Sequence, residues 1–249
     1  MRIIFVQFVT VILSVFLLSF GAWTYAQSLY HDNVRKFVSE KAETKIENLK
    51  EAQLLSDKFV LLKGIISNSE TFKGKNNSNV ILERYAEEKK DKGSRKDWKL
   101  IKENSYFKII PFKLYNKEKT SYVLVDSYDV DKTFLGKSET KEEEKDNVLF
   151  QKSLWQFKNE EEVYVIGKLE NKSGQLIITN PNLNKSIYSG DFLKEPFIIT
   201  KYKPQELAEK SKTIGLSIFY SSIALVFISA FVFISSIFNI IKKTRAGTF

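Results

Sequence analysis

The stretch TIGLSIFYSSIALVFISAFVFISSIFNII, from Thr213 to Ile241, contains no charged residue and decides the class of this protein. A second stretch without charge runs from Ile3 to Tyr30, near the other end of the chain. At about 1.5 Å of rise per residue, each stretch exceeds the roughly 20 residues that cross a hydrocarbon core of ~30 Å. The sequence therefore predicts two transmembrane helices with the rest of the chain between them.

The composition excludes several classes of protein. With 249 residues, 10 Gly, 4 Pro and no Cys, the chain is not collagen-like and has neither a disulfide framework nor a thiolate metal site. Segment 27–212 holds 35 of the 39 Lys+Arg residues and all 30 Asp+Glu residues, so its net charge is +5 (35 − 30). Basic residues are mixed with acidic ones, as in residues 87–103, and form no track for a phosphate backbone. We therefore expect no nucleic-acid partner.

The residues around the two apolar stretches predict an orientation. Trp23, Tyr25 and Tyr30 lie at the end of the first stretch that faces the middle of the chain, and such aromatic residues settle at the lipid headgroups. Basic residues lie at the opposite ends, namely Arg2, Lys242, Lys243 and Arg245. The positive-inside rule then places both termini in the cytoplasm and residues 27–212 outside it. A composition rich in Lys, Ile, Asn and Phe is typical of AT-rich bacterial genomes, which favours a bacterial inner membrane with a periplasmic domain.

A cleaved signal peptide is the alternative for the first stretch. Thr24 and Ala26 are small residues at the positions that would precede a cut before Gln27. The apolar run from Ile3 to Phe20 is longer than the apolar part of most signal peptides, and this length favours a retained anchor.

Small and polar residues recur every seven positions in both stretches, which places them on nearly one face of each helix. They are Gln7, Ser14, Gly21 and Ser28 in the first stretch, and Gly215, Ser222, Ser229 and Ser236 in the second. In an antiparallel pair of helices the opposite residues are Gln7 and Ser236, Ser14 and Ser229, Gly21 and Ser222, and Ser28 and Gly215. Small residues let transmembrane backbones approach closely. The pattern predicts a helical hairpin with these residues as its packing seam, and the abundance of Ser in the chain is the competing explanation.

Between the two stretches the pattern changes from helical to strand-like. Apolar residues at spacings of three and four predict an amphipathic stalk helix over residues 31–58. Eight short runs rich in Val, Ile, Phe and Tyr predict strands at 59–66, 79–85, 98–101, 107–115, 121–128, 162–170, 175–180 and 196–200. We expect an α+β membrane protein with this order: a first transmembrane helix (1–30), the stalk, a β-sandwich or barrel (59–204), a helical lead-in (205–212), a second transmembrane helix (213–241) and a basic tail (242–249).

Glycine, proline and polar residues punctuate the predicted strands. Polar segments at 116–119 and 171–174 predict hairpin turns. Gly64 and Gly167 lie inside runs, where glycine marks a bulge or a close backbone approach, and Pro111 predicts an edge or a bulge. Residues 132–147 have almost no apolar content and predict a mobile loop.

Several segments together resemble the GIDE family, whose best-known members are mitochondrial ubiquitin ligases with a domain between two transmembrane helices. The matching segments are VLLKGII, LERYAEEKKDKGSRKDWKL, PFKLYNKEKTSYVLVDS, EEVYVIGKLENKSGQLII, and FIIT followed by QELAEK. Order and spacing agree over residues 1–241. The resemblance matches recurring family positions of a structural kind to Gly64, Glu83, Trp98, Pro111, Phe112 and Gly167. It implies a membrane-anchored domain that engages partners.

One part of the family pattern is missing. In the ligases a RING follows the second helix and holds zinc through Cys and His side chains. The tail KKTRAGTF after Ile241 has neither residue type. We therefore do not expect ubiquitin ligase activity by the family mechanism.

No known catalytic pattern is found in the sequence. His31 is the single histidine, and a position near the headgroups explains it better than catalysis does. Asp126, Asp129 and Asp131 lack the Gly and the distal Glu of an EF-hand, which favours an exposed turn over a Ca²⁺ site. We expect no enzyme activity, no metal and no cofactor.

Two functions of different classes remain. The first is a non-enzymatic interaction domain, held at the membrane face, that binds a protein partner or another ligand. The alternative is a membrane-active effector in which several helical hairpins form a pore or channel. The lipid bilayer is a partner in both, and the alternative also requires a homo-oligomer.

Overall fold

The computed structural model describes residues 2–41, 43–49, 59–93, 97–126, 130–136, 139–181 and 195–245. Helix α1 extends from Arg2 to Glu40, and helix α2 extends from Pro204 to Arg245. Both are long and apolar enough to cross a membrane, with candidate spans at Val9–Glu40 and Pro204–Lys242. The predicted class, an α+β chain with two candidate spans around a mainly β region, is confirmed.

The described strands between the two helices form two main sheets and one short hairpin. In chain order they are β1 (Phe59–Ser67), β2 (Phe72–Lys73), β3 (Asn79–Val80), β4 (Leu82–Asp91), β5 (Lys99–Leu100), β6 (Tyr106–Ile109), β7 (Phe112–Tyr115), β8 (Tyr122–Val125), β9 (Glu139–Lys145), β10 (Val148–Phe157), β11 (Glu162–Lys172), β12 (Gln175–Thr179) and β13 (Ile198–Thr200).

Five of these strands close into a small barrel. β1 pairs with β7, β7 with β8, β8 with β12, β12 with β11, and β11 again with β1. The pair of β8 and β12 is parallel, and the other four pairs are antiparallel. This order is that of an OB-fold barrel, in which β7 and β8 take the places of the second and third strands. β13 adds to the barrel by pairing with β11.

The second sheet is built from the long segments that separate the barrel strands. Within it β4 pairs with β5, β6 and β10, and β10 pairs with β9. One apolar core contains side chains from both sheets, for example Leu114 and Val165 of the barrel with Leu82 and Phe157 of the second sheet. The two sheets therefore belong to one compact unit. A second unit contains helix α1 up to Ser39 and helix α2 from Ala208 onward.

The predicted stalk helix is wrong over residues 43–49. Helix α1 ends at Glu40, Thr44 forms a parallel bridge with Leu62, and residues 46–49 form a single 3-10 turn. Ile46 and Leu49, which fit the apolar face of a helix, are instead buried in the core of the β unit. Residues 50–58 of the predicted stalk lie outside the described residues.

The predicted mobile loop at 132–147 is also wrong. Residues Glu139–Lys145 form β9, which pairs along its whole length with β10. Every side chain of β9 is exposed, so this edge strand has no buried face and needs no apolar residue. β10 itself was not predicted, because Gln151 and Lys152 interrupt its apolar residues in the middle.

Pro111 marks a change of sheet rather than an edge or a bulge within one strand. The predicted run 107–115 is two strands, of which β6 pairs with β4 in the second sheet and β7 pairs with β1 and β8 in the barrel. Both predicted hairpin turns connect antiparallel neighbours, β7 with β8 and β11 with β12. The second turn is shorter than predicted, because β11 continues to Lys172.

Candidate functional site

The outer side of β7 and β8 carries two cross-strand rows of side chains, which we call the barrel face. One row is Ile65, Tyr115 and Tyr122, and the other is Ser67, Lys113, Leu124 and Ile177, as the strand register gives them. Side chains alternate along a strand, so their neighbours Phe112, Leu114 and Val123 point into the barrel and are buried. The barrel thus keeps the two rows partly open to solvent.

Two tyrosines dominate the barrel face. The ring centroids of Tyr115 and Tyr122 lie 5.2 Å apart, with 37° between the ring planes. The Lys113 ammonium group lies 4.7 Å from the centroid of the Tyr122 ring, and Tyr122 remains 44% exposed. A tyrosine combines a rigid apolar ring with a hydroxyl that can form hydrogen bonds. The barrel face therefore offers a ligand both apolar surface and polar groups.

A pocket of about 560 Å³ adjoins the barrel face at Ile65. Its walls come from residues 43–48, from β1, from the start of β11 and from the turn between β7 and β8. Four carboxylates and three ammonium groups line it, on Glu43, Glu47, Glu118, Glu162, Lys45, Lys63 and Lys117. A lining of both signs suits a polar segment with charges of both signs, such as a peptide.

A glycine and an asparagine shape this pocket. A Cβ on Gly64 would lie 2.6 Å from the Tyr115 carbonyl oxygen and 3.0 Å from Cδ1 of Ile46, so only glycine fits this close approach. Asn116, which is 4% exposed, organises the turn after β7. Its Oδ1 accepts hydrogen bonds from the backbone N–H groups of residues 120 and 121, and its Nδ2 donates to Glu47 at 2.8 Å.

Several charges in the pocket have partners. The Lys63 ammonium group lies 3.0 Å from the Glu162 carboxylate, and the hydrogen bond to Glu162 raises the pKa of Lys63. Hydrogen bonds from its own backbone N–H and from Asn116 lower the pKa of Glu47. Both shifts favour the charged forms, so Lys63 and Glu47 stay ionised at neutral pH.

Glu83, one of the family-like positions, is a fully buried carboxylate. It accepts hydrogen bonds from the Lys75 backbone N–H, 3.0 Å from each oxygen, from the Tyr106 hydroxyl and from the Gln156 amide. Partial burial and the hydrogen bond to Glu83 raise the pKa of Tyr106, which keeps its hydroxyl protonated as a donor. Gly74 lies so close that a Cβ there would overlap the Glu83 carboxylate. With its oxygens occupied in this way, Glu83 connects backbone segments rather than facing a ligand.

The other family-like positions lie in structural surroundings. A Cβ on Gly167 would be 2.6 Å from the side chain of Ile178, which is the close approach that a glycine inside a strand indicates. Phe112 is 1% exposed and belongs to the core. Pro111 is exposed and Trp98 is half-buried.

The structure brings predicted seam residues of α1 and α2 together. The Ser229 hydroxyl donates a hydrogen bond of 2.6 Å to the Ser14 carbonyl. A Cβ built on Gly21 would lie 3.6 Å from the Ser222 carbonyl oxygen. A Cβ built on Gly215 would lie 3.5 Å from the Ser28 carbonyl oxygen. Ser236 is also buried, whereas the side chain of its predicted partner Gln7 lies outside the described residues. These small residues therefore lie at points of close contact between the two helices.

The remaining candidate residues have structural contacts. Within the described ranges, no group of three His, Asp or Glu side chains is placed to hold a metal ion. Asp131 caps the 3-10 turn Lys132–Phe134 by accepting a hydrogen bond of 2.9 Å from the Thr133 backbone N–H. Asp129 lies outside the described residues. His31 is 6% exposed, and its carbonyl accepts a 2.7 Å hydrogen bond from the Ser211 hydroxyl.

The sequence alone does not single out Lys113, Tyr115 and Tyr122. A signal was present, because FKLY and SYVLV alternate between residues of different burial. The alternation alone does not tell which side faces solvent, since both sides carry large side chains. Closure of the barrel decides this by turning the phenylalanine, leucine and valine side inward.

A comparison of the chain with protein-family models, with curated proteins and with solved structures found no match. The resemblance to the GIDE family therefore stays a prediction.

Proposed function

We propose that this chain is a non-enzymatic, membrane-anchored binding module that holds a segment of a partner protein on its barrel face. The observation that carries the proposal is the pair Tyr115 and Tyr122, whose rings pack together while Tyr122 stays 44% exposed. In OB-fold barrels the second and third strands carry the ligand-binding face. The tyrosine pair lies on the strands that take those places.

Charge favours a protein over a polyanion as the partner. The pocket beside the barrel face has more carboxylates than ammonium groups, so a phosphate backbone would meet net repulsion there. A peptide segment can match both signs, and its apolar side chains can cover Leu124 and Ile177. Tyrosine rings bury a large area at a low cost in conformational entropy, which suits them to the centre of such an interface.

We further propose that both termini are cytoplasmic and that the barrel lies on the other side of the membrane, which in a bacterium is the periplasm. The basic residues beyond both apolar stretches support this orientation. The resemblance to the GIDE family supports the same arrangement, in which a partner-facing domain lies between two anchors.

Site-specific photo-cross-linking in intact membranes tests the binding proposal. A photoreactive amino acid replaces Tyr122 in one variant and Leu100, a 49% exposed residue of β5, in the control variant. We expect a discrete cross-linked band from the Tyr122 variant, and we expect Tyr115→Ala to remove it. The same band from the Leu100 variant, or no band from the Tyr122 variant, would contradict the proposal.

The pore alternative leads to a different outcome in solution. Large apolar side chains such as Phe227, Phe231 and Phe238 are exposed on α2, and such a surface suits lipid better than a water-filled channel. A binding module should be monomeric in mild detergent and leave lipid vesicles intact. A pore should migrate as a large homo-oligomer and release a dye trapped in vesicles.

A further inference from the structure

A cleft of about 370 Å³ lies between α1 and α2, at the level where their uncharged stretches give way to charged residues. One part of its lining is apolar and aromatic, with Tyr25, Leu29, Leu216 and Phe219. The rings of Tyr25 and Phe219 lie 6.1 Å apart. Tyrosine side chains mark the headgroup level of a bilayer. The cleft therefore opens at the depth where lipid headgroups meet the acyl chains.

The other part of the lining is charged and has an excess of positive charge. The Asp32 carboxylate lies 2.7 Å from the Arg35 guanidinium group and 2.8 Å from the Lys36 ammonium group, so it already has two cationic partners. Lys212 is exposed on α2 and makes no ion pair within the described residues. Arg35 and Lys212 line the cleft, so two cations lie there with only one carboxylate.

We infer that this cleft binds an anionic phospholipid, with the phosphate between Arg35 and Lys212 and the upper acyl chains against Leu29, Leu216 and Phe219. A guanidinium group and an ammonium group both bind phosphate oxygens well. The apolar part of the cleft favours a lipid over free phosphate, because inorganic phosphate would leave that surface in contact with water. The inference depends on the membrane position of the helices and is independent of what the barrel face binds.

The test uses the full chain in mixed micelles, with native mass spectrometry to count retained lipids. We expect phosphatidylglycerol to be retained and phosphatidylcholine, which has no net charge, to be lost at the same concentration. Lys212→Gln and Arg35→Gln should each weaken phosphatidylglycerol binding about fivefold. Circular dichroism of each variant should show unchanged helix content.

Two further variants separate a built site from general attraction to basic residues. Lys36→Gln removes a cation one helical turn from Asp32 that does not line the cleft, so it should leave lipid retention unchanged. Leu216→Trp keeps every charge but fills part of the cleft, so it should weaken retention as much as Lys212→Gln does. Equal losses with Lys36→Gln and Lys212→Gln, or no loss with Leu216→Trp, would overturn the inference.

A competition arm distinguishes a lipid from free phosphate. Inorganic phosphate at a large excess over phosphatidylglycerol should not displace the bound lipid. Displacement of the lipid at a comparable concentration of inorganic phosphate would show that the acyl chains contribute nothing, and it would overturn the assignment to a lipid.

Discussion

The carboxylate of Glu83 is completely buried, so it has lost the water that normally stabilises its charge. Four hydrogen bonds from three donors replace that water, and the donors belong to Lys75, Tyr106 and Gln156. These donors come from the turn between β2 and β3, from β6 and from β10. A single side chain thus holds three separate pieces of backbone together.

Replacing Glu83 with Gln should destabilise the fold by about 1–3 kcal/mol, because the new amide nitrogen would face a donor. Unfolding in urea and detergent, followed by tryptophan fluorescence, measures the loss. Glu139→Gln on the exposed strand β9 is the matched control, and we expect it to change stability by less than about 0.5 kcal/mol. Equal effects of the two substitutions would contradict the structural role of Glu83.

Tyr106 makes the same cluster sensitive to alkaline pH. Partial burial, the hydrogen bond to Glu83 and the charge of that carboxylate raise the pKa of Tyr106 above its ordinary value of 10.0. A group whose pKa is raised on folding stabilises the fold fully below its unfolded pKa, and this stabilisation is lost as the pH rises beyond it. Between about pH 8 and about pH 11 the wild-type chain should therefore lose more stability than Tyr106→Phe. Parallel losses in thermal unfolding would argue against this coupling.

The hairpin of β9 and β10 depends on its two-residue turn. Lys145 pairs with Val148, and the residues between them, Asp146 and Asn147, have φ angles of 52° and 60°. Left-handed residues at both positions match the twist of a tight hairpin. Asp and Asn tolerate this conformation better than β-branched residues do.

Asn147→Val should therefore destabilise the hairpin by about 1–2 kcal/mol, whereas Asn147→Gly should keep or slightly increase its stability. Amide hydrogen exchange of β9 reports the effect directly, since this edge strand pairs with β10 alone among the described strands. Faster exchange in both variants, or in neither, would mean that the turn does not control the hairpin.

The seam between α1 and α2 can be tested with introduced cysteines, because the chain has none of its own. Cysteines at Ser14 and Ser229 should form a disulfide within one molecule, since the Ser229 hydroxyl reaches the Ser14 carbonyl at 2.6 Å. Cysteines at Ser14 and Ile228 are the control pair. Ile228 directly precedes Ser229 in the sequence, but its side chain is 55% exposed. Similar cross-linking of both pairs, measured as a mobility shift without reductant, would contradict the seam.

The proposed orientation of the whole molecule can be checked by labelling single cysteines. Lys141 lies in the middle of the exposed strand β9, so Lys141→Cys is a suitable probe for the barrel side of the membrane. A membrane-impermeant maleimide should label Lys141→Cys in intact spheroplasts and Lys242→Cys only after the membrane is opened. The reverse pattern would place the barrel in the cytoplasm and overturn that part of the proposal.

Local patterns were enough to predict most secondary structure. Charge-free stretches correspond to α1 and α2, and six of the eight predicted runs each correspond to one described strand. The other two runs, 79–85 and 107–115, each contain strands of two different sheets, because the local sequence does not determine which partner each half will pair with. The prediction of a stalk helix is wrong over residues 43–49 for a related reason. Ile46 and Leu49 suit the apolar face of a helix and the core of a barrel equally well.

Three patterns depend only on residues that are close in sequence: the length of the apolar stretches, the recurrence of small residues every seven positions, and the alternation within short runs. The amino-acid sequence by itself was therefore sufficient to predict the candidate spans and most strands. Contacts between distant residues decided the rest. Tyr115 belongs to the barrel face only because β1 and β8 lie beside it. The buried carboxylate of Glu83 has hydrogen-bond partners only because the fold brings donors of three other segments to it. Such neighbours are chosen when the barrel closes and the core is buried, and no local pattern specifies that choice.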